Sequence, residues 1–472
     1  MSGGLWAPER RALTIGLVLT VTLVAFEALA VITILPAIKD DLGGLRLYGW
    51  VTSAFFLGVL VGVVVAGEQT DRRGPAPPFV AAVVLFGIGL VIGGLAPTML
   101  VLVIARGLQG LGAGAISTVT YTSIGRCFPE ELRPRLLAVT STAWVVPGIA
   151  GPALSALVAS HFGWRVVFLG LLPLVVFSAS LTIGSLRRIG PPAEPAPHAT
   201  GLVDAVRVAT GTGLLLAGLT QLTGGSPAVG VALAVAGVAL AVAGVVLGLR
   251  ALVRLLPAGT LRARPGLPVA VLSRGLLTFA FFGADTYVPL TITAVRGQST
   301  AVGSVAVTAA TLSWTAAAWV QERRSRVSSG RRLVVTGLAV LVVGTAGIAA
   351  AVHPAVPLAV GVAGWGVGGF GIGLAYAPIS LIVLKEAPAG QEGSATGAMQ
   401  LTDNLGVALG AGLGGVAVAL GDTAGWSPGA GVATAFAMTA CVGLAGMVVA
   451  RRLPDSVLAE AAPAAARPRP HR

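Results

Sequence analysis

The chain has 472 residues, 55% of them apolar and 10% charged, with a mean hydropathy of +0.90. A soluble domain carries about 25% charged residues, so a water-soluble fold is excluded. Apolar runs of the ~20 residues that cross a bilayer core, in place of alternating segments of about ten, exclude an outer-membrane barrel too. The net charge of +13 is read as the basic excess that membrane proteins gather on their cytoplasmic side, so no nucleic-acid partner is expected.

In chain order, apolar runs predict helices over residues 12–38, 47–67, 77–96, 98–125, 136–160 and 164–186. Two more follow at 203–223 and 228–249, the first with Asp204 and Arg207 at its start. Six more at 268–295, 299–320, 333–352, 356–384, 394–420 and 429–450 bring the total to fourteen. The first run, Leu13 to Ile38, is too long for a signal-peptide core and is read as a retained helix.

With the N-terminus inside, 26 of the 31 basic residues, Arg274 among them, fall on the cytoplasmic side. Lys39, Arg46, Arg165 and Arg296 fall outside, and Arg106 alone is assigned to the interior of a helix. This asymmetry calls for an even number of spans in the cell inner (plasma) membrane, with both termini cytoplasmic. The domain reading is a cytoplasmic N-terminus at 1–11, a six-helix bundle at 12–189, a second at 266–452 and a disordered tail at 453–472. Between the bundles, residues 190–265 hold a Pro/Ala-rich linker, Gly190 to Thr200, and two additional helices. That pair is expected at the periphery.

Cys127 and Cys441 are the only cysteines, without metal-ligand spacing or a disulfide framework. His161, His198, His353 and His471 fall in predicted loops or tails. No phosphate-binding loop of the G-x-x-x-x-G-K type is present. No metal, cofactor or ATP is therefore expected, and the chain is not read as an enzyme.

The sequence also repeats itself. Arg106-Gly-Leu-Gln-Gly-Leu-Gly-Ala-Gly aligns with Trp365-Gly-Val-Gly-Gly-Phe-Gly-Ile-Gly at an offset of 259. Gly107, Gly110, Gly112 and Gly114 thus meet Gly366, Gly369, Gly371 and Gly373. Asp71-Arg-Arg likewise meets Glu322-Arg-Arg. Parallel repeats of this kind place a transport site at the midplane between two halves.

Four segments carry a family resemblance. Gly67-Glu-Gln-Thr-Asp-Arg-Arg-Gly74, expected in the loop after the second helix, resembles the G-x-x-x-D-R-x-G motif of the major facilitator superfamily, although Pro75 to Pro78 follow where the family has basic residues. Gly67 at a helix end permits close backbone approach, and Asp71 and Arg72, followed by Gly74, are placed to latch neighbouring helices. Arg106 to Gly114 resembles the fourth-helix motif, and the resemblance implies a proton-coupling role for Arg106, with Gln109 one helical step away. Pro147-Gly-Ile-Ala-Gly-Pro152 resembles the antiporter motif, with Pro147, Gly148, Gly151 and Pro152 in place, and implies export. Glu27 to Pro36, EALAVITILP, resembles the first-helix motif of the fourteen-helix drug:proton antiporter branch. The fold so implied is an all-α membrane protein of two six-helix bundles with two helices inserted between them.

Glu27 and Asp285 lie well inside corresponding helices of the two halves. A carboxylate in hydrocarbon is expensive and marks a functional site. One that exchanges its proton near neutral pH can couple proton entry to substrate exit. Tyr287, Trp365, Gln400, Asp403 and Asn404 are further candidates for the cavity, with Asp403 open to a second reading as the partner of an arginine. The expected function is a proton-coupled antiporter, a monomer, exporting small lipophilic or cationic compounds. The alternatives are an uptake carrier, or an exporter of a metabolite, siderophore or lipid, of the same fold. More distant are a receptor or a membrane-embedded enzyme.

Overall fold

The computed structural model describes residues 7–128, 133–188, 201–223, 230–325, 327–388 and 391–455. The predicted linker at 190–200, the tail beyond 455, His198 and His471 lie outside them. Fourteen helical spans are found among the described residues. In the N-terminal half α1 is Pro8–Leu42, α2 Tyr48–Arg73, α3 Ala76–Gly94, α4 Met99–Cys127, α5 Arg133–Phe162 and α6 Trp164–Leu186. The inserted pair is α7 Gly201–Leu222 and α8 Gly230–Leu255. The C-terminal half has α9 Leu267–Val295, α10 Thr300–Arg324, α11 Gly330–Ala350, α12 Leu358–Glu386, α13 Glu392–Thr423 and α14 Pro428–Ala450. Thirteen have the length and apolarity to cross a bilayer over their described residues, and α5 contributes the shorter apolar piece Val146–Phe162.

The glycine repeat explains how each half is packed. A Cβ on Gly110 or Gly114 would collide with the α2 backbone at Phe55 and Val59, and a Cβ on Gly369 or Gly373 with the α10 backbone at Ala310 and Trp314. Gly112 meets α3 and Gly371 meets α11 in the same way. Small residues at these positions let backbones approach closely, as helix contacts in a membrane require. The fourth helix of each half is thereby pressed against the second and third.

The two first helices differ. α1 runs unbroken for 35 residues. α9 breaks at Asp285, passes through Val288–Leu290 and ends in a π-helical turn, Thr291–Val295. The cause is Pro289, which has no N–H for the carbonyl four residues back, that of Asp285.

The halves meet toward the end of the bundle away from the chain termini. There Ser53 Oγ donates to Ala408 O at 2.7 Å, Tyr287 Oη donates to Ala411 O, and Gly49 lies against Gly415. Gly148 of α5 faces Thr311 of α10 so closely that a Cβ would collide with its methyl group. Of the inserted pair, α8 is peripheral as expected, with much of its apolar surface exposed, whereas α7 is not. Arg46 donates to Thr220 O at 2.9 Å and to Thr223 Oγ1 at 3.3 Å, and Trp50 Nε1 to Thr220 Oγ1 at 3.1 Å. Leu216 packs onto Gly412 of the opposite half, so α7 touches both sides of the seam.

Two further expectations are corrected. Gly67, Asp71 and Arg72 stand in the last turns of α2, not in a loop, because the chain meets no breaker until Gly74, with φ of +81°, and Pro75. Gly67 makes no close backbone approach: a Cβ there would meet only the Thr118 methyl at 3.9 Å. Arg72 pairs with Glu68 of its own helix at 3.5 Å. His161 likewise lies in the last turn of α5.

Candidate functional site

In the N-terminal half, α1 and α4 bring Glu27 and Arg106 into a buried ion pair, with Glu27 only 1% exposed. Arg106 Nη1 also donates to Gln109 Oε1 at 2.7 Å, the one-step partner expected from the sequence, and Nε to Val51 O at 3.2 Å. Its guanidinium lies 4.2 Å from the Phe55 ring centroid. A buried ion pair holds when its remaining donors are met, and removing one partner leaves an uncompensated charge. This arginine is so met on three sides. Among the described residues, Glu27 Oε2 and Gln109 Nε2 have no hydrogen-bond partner.

The corresponding place in the C-terminal half is built from different chemistry. Asp285, 3% exposed, accepts a hydrogen bond from Trp365 Nε1 at 2.8 Å. Among the described residues no basic side chain forms an ion pair with it. Trp365 is itself buried and stacks on Phe281, with centroids 5.0 Å apart and planes 15° apart. At the offset of 259, Trp365 is the counterpart of Arg106. The fold thus sets a carboxylate beside a fixed cation in one half and beside a neutral indole in the other.

A third charged group escaped the sequence reading. Arg274, counted there with the cytoplasmic basic residues, is 2% exposed inside α9. Its Nε donates to Asp403 Oδ1 at 2.9 Å, and Nη1 donates to Tyr376 O at 2.8 Å and to Ser380 Oγ at 3.3 Å. Tyr376 Oη donates to Asp403 Oδ2 at 3.2 Å, while the guanidinium sits 3.1 Å from the Tyr376 ring centroid. The arginine partner read for Asp403 is thus realised, while its 15% exposure leaves the cavity reading standing beside it. The available signal was the position of Arg274 within the predicted apolar span 268–295.

Apart from Trp365, which donates to Asp285, the other predicted residues fall away from these groups. Tyr287 and Trp365 are buried and do not line an open cavity, Tyr287 being held in the seam. Gln400 is exposed on α13, and Asn404, half-buried, donates to its carbonyl at 2.9 Å. Pro147, Gly148, Gly151 and Pro152 are buried in α5, with Gly148 at the contact with α10. No group of three or more His, Cys, Asp or Glu arranged to hold a metal occurs among the described residues.

Comparison with known proteins follows the same lines. The Major Facilitator Superfamily family model matches residues 17–411. A protein named "Uncharacterized MFS-type transporter" from Mycobacterium tuberculosis is 30% identical over 302 residues, which is 63% of this chain and 43% of that one. The chain therefore spans less than half the length of this relative. Multidrug resistance protein 3 of Bacillus subtilis is 30% identical over 154 residues, 33% of this chain and 30% of its own. Among solved structures, an auto-inhibited POT family peptide transporter matches with a TM-score of 0.66 at 18% identity, over 95% of this chain and 99% of that one. A D-xylose-proton symporter matches with a TM-score of 0.65 at 14% identity, over 94% and 98%. At such identities these two structures bear on the fold alone. In keeping with its repeated halves, inserted pair and buried charges, the chain belongs to the Major Facilitator Superfamily, and its apolar helices make it a multi-pass membrane protein.

Proposed function

We propose that the chain is a proton-coupled antiporter that exports small lipophilic cations, and that Asp285 is the group at which proton and cation exchange. The observation that carries this reading is the buried carboxylate of Asp285 with an indole and, among the described residues, no counter-ion. An uncompensated charge in a low-dielectric site is relieved by a proton or by a ligand cation. Either one satisfies the site and both together do not, which is the requirement for exchange. Glu27 already has its cation in Arg106 and serves as a fixed pair that holds α1 to α4.

Direction is supported by the Pro147 to Pro152 segment at the contact between halves and by relatives named for multidrug resistance. The arginine-rich end is taken as cytoplasmic. The seam formed by Ser53, Tyr287 and Gly49 then lies at the outer end, where the halves are in contact. Exchange requires that seam to part as the halves rock about the central site. The break in α9 after Asp285 provides a joint beside the exchanging group.

The test is transport of a fluorescent lipophilic cation in proteoliposomes. An imposed pH gradient should drive cation movement in the wild type and fail to do so in Asp285→Asn. Normal gradient-driven transport by Asp285→Asn, or no cation movement by the wild type, would contradict the proposal.

A further inference from the structure

Half-buried rings from the two halves follow one another in a row that ends on an acid. Phe56 of α2 lies 6.4 Å from Phe282 of α9, Phe282 lies 6.2 Å from Trp314 of α10, and Trp314 lies 5.3 Å from Tyr376 of α12, centroid to centroid. The Tyr376 hydroxyl reaches Asp403 at 3.2 Å. All five side chains are partly exposed, while those behind them, Phe281, Trp365 and Arg274, are buried. The first ring comes from the N-terminal half and the rest from the C-terminal half, so the row passes from one half to the other.

The charge at its end has one sign toward the open space. Asp403 is 15% exposed and Arg274 only 2%, so the pair presents its carboxylate and hides its guanidinium behind the Tyr376 ring. Arg274 donates to one Asp403 oxygen and Tyr376 to the other. A carboxylate oxygen has two lone pairs, which leaves capacity for a further donor. Successive rings are tilted by 40°, 55° and 58°, so their faces are not used up by stacking on one another. Ring faces attract flat aromatic groups and cations alike.

We infer that Phe56, Phe282, Trp314 and Tyr376 form a binding subsite for planar aromatic cations, with Asp403 as its charge-recognising residue and Arg274 as the residue that positions it. The subsite is distinct from Asp285, which lies behind it beneath Phe281 and Trp365. Phe281 joins the two: it stacks on Trp365 and meets Trp314 edge-on at 5.5 Å. The inference rests on the cation-exporter reading above and adds where the cargo sits.

The test is equilibrium binding to the purified full-length transporter, without any gradient, using ethidium as a planar cation and Nile red as a neutral planar probe. Trp314→Ala should weaken both by about ten-fold. Asp403→Asn should weaken ethidium by about ten-fold or more and Nile red by less than about two-fold, and Asp403→Glu should restore ethidium. Should Asp403→Asn not fold because Arg274 is stranded, the double variant Arg274→Gln/Asp403→Asn is read, with the same charge-selective loss expected. Unchanged ethidium affinity in whichever of these folds, or no binding of either probe by the wild type, overturns the inference. Loss of ethidium in Asp285→Asn with none in Asp403→Asn would put the cation at Asp285 and also overturn it, leaving antiport standing. If ethidium obeys Asp403 but no pH gradient moves it, the subsite stands and the antiport reading falls.

Discussion

The two halves of this transporter share a packing scheme and differ in how they treat a buried carboxylate. Gly110 and Gly369 do the same work in equivalent helices, yet at the head of the same motif one half has Arg106 and the other Trp365. Glu27 is balanced by a guanidinium on an unbroken helix; Asp285 is held by an indole on a helix that breaks beside it. A repeat of this kind preserves the backbone contacts that glycine permits and lets side-chain chemistry diverge. In the proposed mechanism one half is a fixed reference and the other changes its charge.

The largest expected effect comes from making the halves alike. Trp365→Arg gives Asp285 the partner that Glu27 has, and gradient-driven transport in proteoliposomes should fall to background while the protein still folds and runs as a single species in detergent. Arg106→Ala is next. It strands a buried carboxylate and should destabilise the fold by about 3–5 kcal/mol, seen in thermal unfolding of the detergent-solubilised protein. Trp365→Phe removes only a neutral donor and should cost about 1–3 kcal/mol; equal losses for these two would deny the difference between the halves. Gly110→Ala and Gly369→Ala, by contrast, should destabilise equally, each by about 1–3 kcal/mol. Unequal losses would mean that the shared packing is only apparent. Smallest is Trp50→Phe, which removes one of the hydrogen bonds to Thr220 of the inserted helix and should cost about 0.5–1.5 kcal/mol by the same assay.

Much of this was legible in the sequence, and the parts that were not have definite causes. Polar and ionisable residues inside apolar runs stand out, which is why Glu27, Arg106, Gln109 and Asp285 could be named from the sequence alone. The glycine register was legible because close backbone approach leaves a fixed spacing. Arg274 was hidden by the counting of basic residues, since it stands near Arg262 and Arg264 and was absorbed into the cytoplasmic set. The seam between the halves could not be read, because its acceptors are the carbonyls of Ala408 and Ala411, and a carbonyl has no sequence signature. The place of α7 was missed for the same reason: Thr220 and Leu216 look like ordinary residues of an apolar helix. The end of α2 was misplaced because Gly67 was given the role that Gly74 performs.

The proposed mechanism requires that Asp285 exchange its proton and that Glu27 not do so. The most direct measurement is proton release from the purified transporter, in weakly buffered detergent solution, on addition of a lipophilic cation. Release is predicted for the wild type and for Glu27→Gln/Arg106→Gln, in which the fixed pair is removed as a unit, and none for Asp285→Asn. Release that survives in Asp285→Asn and disappears in the double variant would contradict this mechanism and move the exchange to the other half.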